Sequence, residues 1–133
     1  MARVVRGLVG PIAVLVGIGA THLLAELARP ELQTAFTPGA LLPIYLVVGA
    51  WAGAAMVRAG ATVAVGVLAG VAIGLMPVAL QYIGFGIILG RDGAAVATSA
   101  AVGFLGLVWG AVFGSGLAWS WFKPNEIALA ARR

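Results

Sequence analysis

The chain has 133 residues, 62% hydrophobic and only 9% charged, with a net charge of +4 and no cysteine. Soluble domains carry about 25% charged residues, so an ordinary water-facing surface is excluded, and without cysteine so are disulfides, thiolate metal sites and thiol catalysis. The mean hydropathy of +1.11 points to lipid as the solvent, and the positive balance reads as topology and headgroup contact, with no nucleic acid as partner.

In chain order, Arg3 and Arg6 precede an apolar run that predicts a first helix over 7–28. No small-x-small cleavage pattern follows, so a retained helix is expected and not a signal peptide. Pro11 lies in its first turns and Pro30 ends it. Residues 29–41 carry Pro30, Pro38 and Gly39 and read as a polar connection. A second helix is expected over 42–57, with Pro43 in its first turn; its shortness suits a thin span. Arg58-Ala59-Gly60 is a tight turn, so the second and third helices should form an antiparallel hairpin.

Nothing charged lies between Arg58 and Arg91. A straight span needs only ~20 residues, and this run is longer. The third helix is expected over 61–84, with room to extend to residue 90. Pro77 removes the bond to the Ile73 carbonyl and predicts a kink. Gly84-Phe85-Gly86 is expected to fray the far end. After the turn at Arg91-Asp92-Gly93, a fourth helix is expected over 94–122, stopped by Pro124, with a basic tail over 123–133. The expected fold is all-α: one domain over 1–133, a polytopic integral membrane protein built as a bundle of four transmembrane helices.

Orientation follows from the basic residues. An inside N-terminus places Arg3, Arg6, Arg58, Lys123, Arg132 and Arg133 inside, against Arg29 and Arg91 outside. Both termini are then cytoplasmic. Trp119, Trp121 and Phe122 would form the inner aromatic belt, with Tyr45 and Tyr82 near the outer one. Seven of the eight basic residues are arginine, and alanine, glycine and valine dominate the composition, a bias that suggests a bacterial chain and so a bacterial cytoplasmic (inner) membrane.

Glycines at four-residue spacing strip a helix face of side chains, and in lipid such a face lets another backbone approach. Gly66, Gly70 and Gly74 form one such face, Gly106, Gly110 and Gly114 a second, and Gly49 and Gly53 a third. Gly17, with Ala13, Thr21 and Ala25, gives the first helix its own small-residue stripe. The simplest role for these faces is packing inside the bundle; an outward face would bind a partner or a second copy.

Polar residues inside a span are the default functional hypothesis. His22 and Glu26 stand at i, i+4 on one face of the first helix. Gln81 and Tyr82 on the third helix and Thr98 and Ser99 on the fourth are expected at the same level, near the outer surface. The simplest reading is a hydrogen-bonded interfacial cluster; ligand contact is the alternative. Two protein ligands are too few for a closed metal site, and haem at His22 would lack an identified second ligand. No cofactor is expected, with haem or a metal at His22 the minor alternative. Ser99, Ser115 and Ser120 have one histidine between them. Gly17-Ile18-Gly19 and Gly84-Phe85-Gly86 lack the strand–turn–helix setting of a phosphate loop. No catalytic set is present, and a non-enzyme is expected.

The chain shows neither the mid-helix acidic residue around which small multidrug exporters are built nor the polar, Phe-rich motifs of fluoride channels. No residue role is carried over from either family. Two functions remain. One is an accessory or scaffold subunit, packed through glycine-rich faces against other membrane subunits in a larger complex. The other is a small homo-oligomeric transporter or channel, or a lipid- or quinone-binding protein with an outer-leaflet polar cluster.

Overall fold

A computed structural model describes residues 2–31 and 37–132. Among them the chain is helical and carries no strand: α1 Ala2–Ala28, α2 Pro38–Arg58, α3 Val63–Ala79 continued by a π-helical segment Leu80–Ile88, and α4 Gly93–Ala131. Four of these stretches, Val5–Ala28, Pro38–Arg58, Val63–Ile88 and Gly93–Lys123, are long and apolar enough to cross a membrane. The chain is a polytopic membrane protein by that measure. Residues 32–36 of the expected connection, and Arg133, lie outside the described residues.

Local chemistry sets the helix ends. Thr37 caps α2, its Oγ1 accepting from Ala40 N at 3.2 Å, with Pro38 next in the first turn. This starts α2 four residues before the expected position. Thr62 caps α3 through Val65 N, and the Asp92 carboxylate caps α4 by accepting from Ala94 N and Ala95 N. The α2–α3 turn closes through Gly60, whose φ of +94° is the left-handed region that glycine tolerates best.

Beyond Pro77 the third span neither stops nor frays. It widens at Leu80 into nine π-helical residues, closed by Leu89 N donating to Gly84 O and Arg91 N donating to Phe85 O. Pro77 leaves the Ile73 carbonyl without its usual donor, and Gly84 and Gly86 place no Cβ against the wider turn. α4 likewise runs through residue 124 to Ala131 and does not end near 122. A proline removes one donor, and at the membrane boundary water can serve the freed carbonyl. The expected basic tail is therefore the last turns of α4.

The core is the α2–α4 seam. These two helices run parallel, with Gly49 against the Leu107 backbone, Gly53 against Ala111, Gly110 against Leu46 and Gly114 against Ala50. A Cβ built on Gly53 would stand 2.5 Å from Ala111 O. α3 packs antiparallel to α4 through Gly66 on Ser115, Gly70 on Ala111 and Gly74 on Phe104. Gly106 receives Tyr45, and a Cβ on Gly103 would stand 2.8 Å from Pro77 Cβ. Tyr45 is thus only 5% exposed and belongs to the core, away from the aromatic belt expected for it, because Gly103 and Gly106 open room for its ring. Ser115 is fully buried beside Gly53 and Gly66, and its hydroxyl has no hydrogen-bond partner among the described residues.

α1 packs differently. Its small stripe is not packed: Ala13, Gly17 and Thr21 are exposed, a Cβ on Gly17 would meet nothing within 4 Å, and Gly17 and Thr21 line an open groove with Leu41 and Ile44 of α2. The buried stripe is Pro11, Leu15, Gly19, His22 and Glu26. The polar pair explains the rotation. Ionisable groups are expensive against lipid and turn toward the bundle interior, and α1 cannot bury both His22–Glu26 and Gly17.

A polar cleft where three helices meet

α1, the π-helical segment and the start of α4 converge at the end of the bundle opposite Arg58. His22, Glu26, Gln81, Thr98 and Ser99 line one cleft there, with Thr37 and Arg91, about 380 Å³ in volume. Five of the six residues expected at this level from the sequence therefore come together. Tyr82 does not; it is half exposed on the outside of the π-helical segment.

The cleft is organised around Glu26, itself 4% exposed. Its Oε1 stands 2.8 Å from His22 Nε2, and its Oε2 accepts from the Arg91 guanidinium. In the sequence Arg91 belongs to a turn and bears on topology alone. The available signal was Glu26, a carboxylate inside a span, which requires a cation. Arg29 is closer in sequence and exposed, whereas Arg91 arrives from the far end of the π-helical segment. Phe85 supports both partners: its ring centroid lies 4.5 Å from that of His22 and 5.7 Å from the Arg91 guanidinium carbon.

Gln81 is different. It is 5% exposed, lines the cleft, and makes no side-chain hydrogen bond among the described residues. A primary amide offers two donors and an acceptor, and a molecule in the cleft that Gln81 lines could meet them. Thr98 spends its proton on the Ala94 carbonyl at 2.9 Å, keeping its oxygen as an acceptor. The cleft thus offers an amide, the hydroxyl oxygens of Thr37, Thr98 and Ser99 and the remaining guanidinium N–H groups around a charge-balanced Glu26–Arg91 pair.

His22 and Glu26 would supply two metal ligands, and no group of three candidate ligand side chains stands together among the described residues. One turn deeper along the same α1 stripe lies an apolar cavity of about 310 Å³, lined by Leu15, Gly19, Met76, Pro77 and Leu80.

Comparison with protein-family models, curated proteins and solved structures finds no match.

Proposed function

We propose that this chain is a non-catalytic protein of the bacterial cytoplasmic membrane that binds a membrane-resident amphiphile, a lipid or a quinone-type molecule, with its polar head in the Glu26 cleft. The observation that carries the reading is Gln81, which lines that cleft and makes no side-chain hydrogen bond among the described residues. Charge balance at Glu26–Arg91 favours a neutral or zwitterionic, hydrogen-bonding head over a simple ion. The apolar cavity one turn deeper suits the tail. A wide helical turn beside a polar site is a frequent functional arrangement.

Native mass spectrometry of the full chain, extracted in mild detergent, tests this. A stoichiometric amphiphile on the unaltered chain, lost in Gln81→Leu and weakened in His22→Ala with helical content unchanged, is expected. A bare mass for the unaltered chain, or equal loading in Gln81→Leu, refutes it.

One observation favours the accessory reading beside it. Ala13, Gly17 and Thr21 leave a small-residue face of α1 open, and such faces admit a second helix. Co-purification of larger subunits that is lost in Gly17→Leu supports that role.

A further inference from the structure

The two ends of the bundle carry opposite charge. At the end where α1 begins and α4 finishes stand Arg3, Arg6, Arg58, Lys123 and Arg132, against one described carboxylate, Glu126, which Lys123 engages at 3.3 Å. The other three acids, Glu26, Glu31 and Asp92, are at the opposite end with Arg29 and Arg91.

At the basic end, residues of α2 and α4 line a surface groove of about 600 Å³ that contains Arg58. Its small residues are Ala50, Ala54, Gly114, Ala118 and Ser120; Trp51, half exposed with its ring also against Gly10 of α1, and Trp121, largely exposed, line it with them. Arg58 is exposed and has no carboxylate partner among the described residues. Its guanidinium carbon lies 5.3 Å from the Phe122 ring centroid. Stacking of this kind fixes the plane of the guanidinium and leaves its edge N–H donors free for a planar or tetrahedral oxyanion.

We propose that this groove seats an anionic phospholipid, its headgroup phosphate on the Arg58 edge and an acyl chain lying between Trp51 and Trp121. The charge complementarity that the groove itself supplies is at Arg58. Apart from Arg58 and Ser120, whose hydroxyl donates to the Leu117 carbonyl, the groove is apolar, as a chain-bearing ligand requires and a free anion does not. Basic pockets between spans at a membrane surface take anionic headgroups by the same physics. This site is separate from the Glu26 cleft, and neither depends on the other.

The test uses the full chain in nanodiscs, with Trp109→Phe and Trp119→Phe so that Trp51 and Trp121 report on the groove. Brominated phosphatidylglycerol should reach half-maximal quenching at roughly one-fifth the mole fraction needed by brominated phosphatidylcholine, the scale of one cation at an anionic surface. Arg58→Gln should erase that difference, Arg58→Lys should keep part of it, and Arg29→Gln, at the opposite end, should keep all of it. Equal quenching by the two lipids before any change at Arg58, or a preference that survives Arg58→Gln, overturns the proposal. The lipid comparison needs no change at Arg58, so it decides the matter even where Arg58→Gln fails to fold.

Discussion

The α2–α4 seam and the attachment of α1 solve one problem in two ways. In the seam, backbone meets backbone: Gly49, Gly53, Gly110 and Gly114 bring the helices together until no side chain fits between them. Dispersion and weak Cα–H···O contacts then act along the whole length, the latter about 0.5–1 kcal/mol each. α1 instead meets its neighbours through side chains. A Cβ on Gly7 would find Met56, on Gly10 Trp51 and on Gly19 Leu80, and the Glu26–Arg91 ion pair ties down its far end. Glycine seams tolerate no added volume, whereas side-chain contacts repack. Here the rigid partners form a platform, and the polar cleft lies between that platform and the more adjustable helix.

The sharpest way to break the comparison is to add volume to the seam. Gly114→Val should cost about 3 kcal/mol or more, since the atoms it meets are Ala50 backbone that cannot rotate away; Gly70→Leu should act similarly against Ala111. Loss of the monodisperse peak in detergent chromatography reads this out, and a normal peak with unchanged melting would remove the packing argument.

Glu26→Gln should come next, at about 1–3 kcal/mol. That is below the cost of breaking a fully buried pair, because the Arg91 side chain is 26% exposed and can turn to solvent. Its signature is local: protease sensitivity should rise near residue 29 while the seam stays closed. A double-mutant cycle with Arg91→Gln should recover most of the loss as coupling, and additive losses would show that the pair contributes little.

Ser115→Ala should be neutral or stabilising by up to about 1 kcal/mol, since it deletes a buried hydroxyl with no partner. A clear fall in the melting temperature would mean that the hydroxyl has a function at the Gly53–Gly66 junction.

The smallest effect is expected at Gly17. Gly17→Ala should shift monomer stability by within about 0.5 kcal/mol, as an exposed site with open space around it. Destabilisation on the scale of Gly114→Val would place Gly17 in a helix contact and erase the contrast between the two regions.

Much of this was legible in the residues. Four spans follow from apolar runs bounded by Arg, Pro and Gly, and the glycine periodicity of α2, α3 and α4 marks faces that lie in contacts. The grouping of His22, Glu26, Gln81, Thr98 and Ser99 could be anticipated because antiparallel spans of known length place them at one depth. Gly17 could not be judged that way. Its stripe looks like the others, and periodicity carries no information about which of two competing faces a helix turns inward.

What the sequence by itself determined is the medium, the number of spans and the level of each residue within them, because hydrophobic length against a fixed bilayer thickness is a one-dimensional quantity. The tertiary structure alone decided rotation and pairing: Arg91 as the cation for Glu26, Tyr45 in the core, α1 turned to hide its acid. Those choices depend on which faces compete for the same interior. In lipid, sheltering a charge outweighs the modest gain from close glycine contact.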